Sequence, residues 1–533
     1  MDAAFQPSPL EIPEQPVVHK APPADRPLRP AKLKPIDRGQ SVMRLVVVEE
    51  LVGPDHKVRA IWDLTGELDL SQWVDNIRSR EGSAGRPAWD PRLLLSVWVY
   101  AYSEQVTSAR EIEKTMPYEP GLMWLSGLGE VNYHTLSDFR SEHPEKLKEL
   151  LAQLLGLLSA EGLVKLECVA HDGTKVRTQA GSDSFRREKT LNNEIAKARR
   201  MVEELDRAEQ SGAAPDARRE AARKRAARER LETMKQAAKE IEAIRANKDT
   251  AEEEAAARVS LTEPEARVMK HGDGALAPSY NVQISTDSEN KIVVGVHLTQ
   301  SSSDSGSLKP AMDEIKAGLG QYPRQAVADG GFTNQKSIVE MKEEKIDFYG
   351  SLASPADRQK AAMKAAGIDV AFAPNQFVVL EEKKAIQCPA GKKLDYVGQS
   401  RKNGNLYYQY RAQGSDCGSC EFRKQCCPKN AEKGRMVGLR MSENADVAEF
   451  REKMKGEEAK AIYKKRGEVA EFPNSWIKEK LGVRKFRLRG MVKATTEAMW
   501  AVLTYNVMQW KRLSWSKPAE AMEAAMVAAM VAA

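Results

Sequence analysis

The sequence predicts a multidomain protein of mixed α+β and α/β class, in which a helical N-terminal domain precedes a mixed sheet. The chain has 533 residues, and at about 150 residues per domain this length indicates several folding units. Its apolar residues follow a helical period in some segments and a strand period in others. Hydrophobic residues make up 41% and charged residues 30%, and no apolar run reaches the ~20 residues that a membrane span needs. We therefore expect a soluble globular protein, located in the cytoplasm because the N-terminus resembles no secretory signal.

The first part of the chain is predicted to be a proline-rich arm followed by helices. Residues 1–44 are rich in proline and poor in aromatic residues, so we expect a disordered arm. Residues 45–160 show helical spacing, with Asp90 as the N-cap of a central helix and Pro91 at its first position. The last helix of this domain should bury one apolar face, formed by Leu147, Leu150, Leu151, Leu154 and Leu158.

Residues 161–185 and 259–355 contain the predicted strands. Their order is three strands able to pair antiparallel, then helix, strand, helix and strand, which is the order of a ribonuclease H-like sheet. Asp172 alternates with apolar residues of the first strand, and Asp329 directly follows a short apolar strand. We expect both aspartates at strand ends, where open sheets usually place ligand-binding groups.

Two predicted insertions interrupt this core, and a helical segment completes it. Residues 186–258 have apolar positions three and four apart and indicate an antiparallel helical hairpin, a coiled coil paired with itself or with a second copy. Residues 356–445 form a small insertion that contains five of the six cysteines. Residues 446–515 should return to the core that contains the mixed sheet, and residues 516–533 form an Ala/Met-rich tail.

The cysteines of the second insertion indicate a metal site. Cys388, Cys417, Cys420 and Cys426 are the expected ligands of a structural zinc ion, since four thiolates suit tetrahedral zinc, and Cys427 directly follows the last of them. Unliganded thiols or a redox pair are the alternatives. Cys168, alone on a strand, is interpreted as a core residue.

Two aspartates on separate strands of one sheet are typical of two-metal phosphoryl transfer, which needs a third carboxylate from further along the chain. The downstream segment would place four side chains on one face of a helix: Tyr463, Arg466, Glu471 and Lys478. Glu471 is therefore the favoured third acid. Glu468 is its rival and Glu497, interpreted as a helix-surface acid, a more distant one. Because proline is costly inside a helix, Pro473 is predicted to start a new helix just after Glu471.

Other polar residues receive simpler interpretations. Asp304 is expected to be an N-cap or turn residue, and Asp183 a loop residue. His171 should point to the opposite face of the strand from Asp172, which argues against a direct catalytic role. His134 and His143 are expected to be structural or to contact phosphate.

Taken together, these motifs resemble the DDE transposases of bacterial insertion sequences. The third acid of that family lies in a signature with the spacing Y-x-x-R-x-x-x-x-E-x-x-x-x-x-x-K, which Tyr463, Arg466, Glu471 and Lys478 match. The segments AHDGTKV, APSYNVQISTD and VADGGF are similar to its catalytic strands, and the segment with GRPAWDPRLLLSVWVYAYSEQ to its helical N-terminal module. One departure is that Phe472 separates the glutamate from the proline, which commonly follows it directly in the family.

The resemblance implies an enzyme that cuts DNA at transposon ends and joins the freed 3′-hydroxyls to target DNA. Asp172, Asp329 and Glu471 would hold two Mg²⁺ ions, for which Mn²⁺ can substitute. Tyr463, Arg466 and Lys478 would grip the end DNA, and the helical N-terminal domain would help recognise the terminal inverted repeats. We expect double-stranded DNA as the partner, a homodimer on DNA, a nucleoid-associated location in a bacterial cytoplasm, and no membrane partner.

Charge and missing motifs refine this expectation. Between Lys478 and Lys493 there are seven basic residues against one acid, and Arg484, Lys485, Arg487 and Arg489 among them are expected to bind DNA phosphates. No Walker-type phosphate loop is present, which argues against ATP-driven transposition. The competing hypotheses are a catalytically inactive, transposase-derived DNA-binding or repressor protein, and a nuclease that cuts without joining.

Overall fold

The computed structural model describes residues 45–515 apart from 78, 80–86, 211–216, 249, 353–354, 381–383, 403–404, 430 and 443. The predicted arm (1–44), the predicted tail (516–533) and the break in the hairpin at 211–216 lie outside these residues. The chain divides into two compact units after Val46. Every helix and strand below belongs to the second unit, and no described helix is long and apolar enough to cross a membrane.

In the helical N-terminal region, the cap of the central helix and the apolar face of the last helix are as predicted. Asp90 Oδ1 accepts from the Arg92 amide at 2.8 Å and caps the central helix, whose first residue is Pro91. All five leucines expected on the inner face of the last helix are buried. The helices among the described residues before the first strand are α1 (Lys57–Gly66), α2 (Ser71–Asp75), α3 (Pro91–Ser103), α4 (Ala109–Thr115), α5 (Pro120–Ser126), α6 (Tyr133–Ser141) and α7 (Pro144–Ala160).

A curled mixed sheet follows, compatible with a ribonuclease H-like fold. Its strands run in the order β4-β5-β1-β7-β8, and β6 pairs with the second half of β5. Neighbours β1 and β5 are antiparallel, whereas β1, β7 and β8 are parallel. The strands up to this point are β1 (Cys168–Arg177), β2 (Phe185–Arg186), β3 (Val259–Ser260), β4 (Arg267–Lys270), β5 (Leu276–Asp287), β6 (Val293–Thr299), β7 (Gln325–Ala328) and β8 (Asp347–Gly350).

Two of the remaining helices form a long hairpin. Helices α8 and α9 pack on each other, and a small core that includes Leu191, Ala237 and Ile241 lies between them. The helices are α8 (Glu188–Gln210), α9 (Ala217–Ala246), α10 (Ala251–Ala256), α11 (Leu308–Leu319), α12 (Gln335–Glu343), α13 (Pro355–Ala366), α14 (Gly414–Gly418), α15 (Arg423–Cys426), α16 (Ala445–Lys453), α17 (Glu457–Glu479) and α18 (Met491–Leu513).

The cysteine-containing segment forms a second, antiparallel sheet with a modest core. Its order is β13-β12-β11-β10-β9. The strands are β9 (Val378–Leu380), β10 (Ala385–Gln387), β11 (Lys393–Lys402), β12 (Asn405–Ala412) and β13 (Met436–Ser442). Its buried residues are Phe377, Ile386, Leu394, Tyr410, Ala412 and Val437.

Helix α17 corrects one prediction. Pro473 does not start a new helix but lies inside α17, which is continuous from Glu457 to Glu479. Proline removes one backbone hydrogen bond, yet Pro473, Asn474 and Ile477 are buried against the sheet, and this packing holds the turn together. All the residues of the expected helical face therefore lie on one helix.

Helix α18 joins the N-terminal helices to the sheet. It packs against α3, α7 and β6. The ring of Trp500 lies 6.2 Å from the ring of Trp98 and stacks on Tyr102 at 6.5 Å, and all three side chains are buried. Asn506 pairs with both the amide and the carbonyl of Val293, at 2.9 and 2.8 Å, which anchors β6 to this helix.

Candidate active site

Asp172 and Asp329 lie side by side on neighbouring parallel strands. The register pairs His171 of β1 with Ala328 of β7, and in each segment the next residue is one of the two aspartates. Asp329 follows the last residue of β7, as expected. Asp172, however, lies inside β1, which continues to Arg177, so the prediction that it ends its strand is wrong.

The surroundings of Asp172 are half-buried and electrostatically mixed. Burial raises the pKa of its carboxyl group above the usual 3.8, and the negative charge of Asp329 raises it further. The Gly173 amide, the Arg466 guanidinium and the Asn474 side chain oppose this rise. The Gly173 amide donates to Asp172 Oδ1 at 2.9 Å. A carboxylate that is partly desolvated yet supplied with donors is typical of functional sites.

Helix α17 lies over this face of the sheet and brings polar side chains to Asp172. Asn474 Nδ2 donates to Asp172 Oδ2 at 2.9 Å, and the Asn474 side-chain oxygen is buried with no hydrogen-bond partner among the residues that the structure describes. One turn later, Lys478 donates from Nζ to Thr174 Oγ1. Burial lowers the pKa of Lys478, while the charge of Asp172 opposes that change. Asn474 and Thr174 were absent from the sequence prediction, although Asn474 lies on the same helical face as Glu471 and Lys478.

The three candidate third acids lie in different surroundings. Glu471 is exposed on α17, one turn before Asn474, and its Oε1 lies 3.7 Å from the point where a Cβ on Gly467 would stand. Glu468 forms an ion pair with Lys291 at 2.7 Å. Glu497 is only 1% exposed, which corrects its interpretation as a surface acid. It accepts from the amides of Arg487 and Leu488, at 2.9 and 3.0 Å, and so has a structural role.

The other two members of the expected helical face are Tyr463 and Arg466. Tyr463 packs beside the buried cluster of Val327, Tyr349 and Ala459. The Arg466 guanidinium lies 6.0 Å from the Tyr463 ring and acts on the pKa of Asp172. The structure therefore brings Arg466, Asn474 and Lys478 into the electrostatic neighbourhood of Asp172.

The basic segment between α17 and α18 is held by the sheet and by Glu497. The Phe486 amide donates to the Arg177 carbonyl at 2.9 Å, and the Phe486 side chain is fully buried. Arg484 pairs with Glu479, and Arg487 Nε donates to Thr107 Oγ1 at 2.6 Å. Lys485 and Arg489 are exposed and form no ion pair with any residue that the structure describes. These two cations are available to an anionic partner.

The donor chemistry of the aspartate pair fits a divalent ion in part. Carboxylate oxygens are the ligands that Mg²⁺ prefers, and the side-chain amide of Asn474 contacts the Asp172 carboxylate. Among the described residues, no three His, Cys, Asp or Glu side chains are grouped so as to hold a metal ion. Glu471 would therefore have to move relative to Asp172 and Asp329 to complete a metal site.

The opposite face of β1 carries a buried polar network. His171 is 1% exposed and lies on this face, as predicted. Asp304 is a turn residue, one of the two alternatives predicted for it, because its carbonyl accepts from the Ser307 amide at 3.2 Å, whereas Ser307 occupies the N-cap of α11. The Asp304 carboxylate accepts from the sheet residues Asn281 and Gln283. These side chains lie directly behind Asp172.

The cysteines predicted to bind zinc line one enclosed cavity, together with Cys427. Cys388 Sγ accepts from the Lys392 amide and Cys417 Sγ from the Arg435 amide, both at 3.3 Å. The Cys427 thiol instead donates to the Lys429 carbonyl at 3.3 Å. Burial raises the pKa of Cys426 to about 11, and the neighbouring cysteines contribute to that rise.

Comparisons with known proteins identify two regions of the chain. Residues 46–142 match a family model described as Transposase domain (DUF772), and residues 387–510 match one described as Transposase DDE domain. The second match includes α17 with Glu471, whereas Asp172 and Asp329 lie outside it. Neither the curated proteins nor the solved structures provide a match.

Proposed function

Since its two family matches indicate an insertion-sequence DDE transposase, we propose that this chain binds the terminal inverted repeats of its element, cleaves the DNA at the transposon ends and joins the freed 3′-hydroxyls to target DNA. The observation that carries this proposal is the pair Asp172 and Asp329, side by side on parallel strands beneath the helix that bears Glu471. A DDE domain implies a nuclease or transferase, and DNA is its partner.

In this proposal Asp172, Asp329 and Glu471 hold two Mg²⁺ ions, or Mn²⁺ in their place. When bound, such ions supply Lewis-acid activation of the attacking oxygen and neutralise charge at the phosphorus. The protein's own side chains prepare the site. Asn474 orients the Asp172 carboxylate, and Arg466 places a positive charge beside it. Glu471 joins the pair by a change of side-chain or helix position.

The DNA contacts follow from the placement of the basic side chains. Tyr463 and Arg466 are proposed to contact the end DNA beside the cut, with Lys485, Arg489, Arg484 and Arg487 along the adjoining backbone. Lys478 is a weaker candidate for a DNA contact than the resemblance implies, because its ammonium group is largely buried and bonded to Thr174. Since both ends must be cut in concert, we propose a homodimer on DNA.

The cysteine cavity is proposed to bind a structural zinc ion through Cys388, Cys417, Cys420 and Cys426. Two features support this set: backbone amides already donate to two of the sulfurs, and Cys427 is directed to a carbonyl. Zinc would stabilise a sheet with a small core. Binding requires the four sulfurs to close around the cavity that they line.

The test is Mg²⁺-dependent cleavage and joining of labelled DNA that carries the element's own ends. We expect Asp172→Asn, Asp329→Asn and Glu471→Gln to abolish both reactions while leaving end binding measurable by gel shift. The matched control is Glu468→Gln, which should retain both, because Glu468 pairs with Lys291.

The possible outcomes separate the competing hypotheses. Full activity of Glu471→Gln would refute the proposed triad. Cleavage without joining by the wild type would identify an independent nuclease. A wild type that binds the ends but never cuts them, with Mg²⁺ or with Mn²⁺, would identify a DNA-binding relic.

A further inference from the structure

The buried polar network behind Asp172 is continuous. Asp304 Oδ1 accepts from Asn281 Nδ2 at 2.7 Å and from Gln283 Nε2 at 3.2 Å. Gln283 Oε1 lies 3.0 Å from His171 Nε2, and His171 Nδ1 lies 2.9 Å from Ser285 Oγ. A chain of hydrogen bonds therefore runs from Asp304 through Gln283 and His171 to Ser285.

An ionised carboxylate only accepts hydrogen bonds, and this sets the direction of every bond in the chain. Asp304 lies 3.7 Å from the Lys175 ammonium and requires the Gln283 amide nitrogen to face it. The Gln283 oxygen then faces His171 and must accept from Nε2–H. His171 is thereby the Nε2–H tautomer, and its Nδ1 accepts from the Ser285 hydroxyl.

Asp304 also lies against both segments that carry the aspartates. A Cβ on Gly173, the neighbour of Asp172, would overlap the Asp304 carboxylate and stand 2.7 Å from Gln283 Nε2. A Cβ on Gly331, two residues after Asp329, would stand 3.7 Å from Asp304 Oδ2. The loop that contains Asp304 is further joined to the loop after β7 by a 3.3 Å bond from Asn334 Nδ2 to Ser305 Oγ.

We propose that Asp304 is a positioning residue that orients the hydrogen-bonded side chains of Gln283, His171 and Ser285. By doing so it holds β1 and the loop after β7 in the register that sets Asp172 beside Asp329. The catalytic part of this inference rests on the proposed function, whereas its structural part does not. Phe332, from the same loop, packs edge-on against the His171 ring at 4.8 Å, which ties the loop to the orientation of that ring. Asp304 touches no reacting group; it acts through the residues that carry the aspartates.

The test compares wild type with Asp304→Asn by two readouts. The first is the tautomer of His171, read from ¹H–¹⁵N correlation spectra of protein labelled at its seven histidines, with the His171 signal assigned by its loss in His171→Gln. We expect the Nε2–H pattern in wild type. In Asp304→Asn, where an amide group replaces the obligate acceptor, we expect a mixture with the Nδ1–H form.

The second readout is cleavage of end DNA. Loss of a residue that supports metal-binding side chains typically costs about 10–100-fold in activity, so Asp304→Asn should lower kcat by that factor without changing the KM for DNA. Gly173→Ala, which pushes on the same carboxylate, should shift the tautomer in the same way. The control is Asp313→Asn on α11, a half-exposed aspartate paired with Lys309, which should change neither readout.

The outcomes distinguish the network from the enzyme. An unchanged His171 tautomer in both Asp304→Asn and Gly173→Ala overturns the inference, as does an unchanged kcat in Asp304→Asn. If wild type itself never cleaves, the proposed function fails, and the tautomer comparison alone then decides whether Asp304 orients the chain.

Discussion

At the residue scale, Asn474 shows how one side chain on α17 supports the aspartate pair. Its amide nitrogen bonds to Asp172, and its oxygen is buried with no partner in the described part of the chain. Replacing it by leucine keeps most of the volume but removes a donor to a carboxylate. We expect Asn474→Leu to lower the cleavage rate about 10–100-fold, as measured on end DNA at saturating Mg²⁺.

The control for this change is the exposed neighbour Ser475, and Ser475→Ala should cleave at the wild-type rate. End binding, followed by gel shift, should be unaffected in both variants. A wild-type cleavage rate in Asn474→Leu would show that Asp172 needs no support from α17.

Glu497 gives a pH-dependent prediction. Burial raises its folded pKa above the usual 4.5, although the amides of Leu488 and Arg487 oppose the rise. The stability that comes from this group is therefore fully present below the unfolded pKa and is lost as the pH rises through the folded pKa. Relative to Glu497→Gln, the free energy of unfolding of wild type should fall above pH 4.5, by up to about 1.4 kcal/mol per pH unit.

Urea unfolding of both proteins between pH 4.5 and neutrality measures this difference. The exposed Glu458 on α17 provides the control, since Glu458→Gln should follow wild type at every pH. A constant difference between wild type and Glu497→Gln would contradict the raised pKa.

At the scale of elements, the stability of the antiparallel sheet β9–β13, which lies in the cysteine-containing segment, should depend on a metal. We expect purified protein to contain about one zinc ion per chain. Cys420→Ser should lose most of the zinc and lower the Tm, because a tetrahedral thiolate site does not tolerate the loss of one ligand. Atomic emission and thermal unfolding measure both effects.

Cys427→Ser is the matched control, since the Cys427 thiol bonds to the Lys429 carbonyl. It should retain the zinc. Zinc-free wild-type protein, purified without chelator, would instead favour free thiols or a redox pair.

Elements also show where pattern reasoning succeeds and where it fails. The bounds of α11 follow from its apolar spacing and from Gly320, which ends it in the left-handed region at φ 77°. The continuity of α17 through Pro473 and the extension of β1 beyond Asp172 do not follow from local preference. The first depends on packing of α17 against the sheet, and the second on antiparallel pairing of β1 with β5, neither of which is contained in a window of sequence.

At the scale of the whole molecule, the exposed cations Lys485 and Arg489 predict how DNA binding depends on salt. Each phosphate contact contributes about 0.9 to the slope of log K against log salt concentration. Replacing both residues by alanine should lower that slope by about 2, and binding to unrelated duplex and to end DNA should weaken equally. Fluorescence anisotropy across a salt series measures the slope.

Lys455 and Lys460 are suitable control residues because each pairs with a glutamate three residues earlier in the chain. Alanine at both positions should leave the slope unchanged. An unchanged slope in the Lys485 and Arg489 double variant would place the DNA path elsewhere.

Local pattern alone determines much of this protein: the helical N-terminal region, the alternation of strands and helices along the core from β5 to β8, the pair Asp172 and Asp329, and the α17 face with Glu471. These features depend on spacing and residue type within one element or on the order of elements. Tertiary structure decides which distant side chains meet. Asn474 reaches Asp172 from 302 positions away, Asp304 lies behind β1, and Glu497 is buried under the basic segment. Such contacts arise because sheet pairing and helix packing bring together residues whose separation along the chain carries no periodic signal.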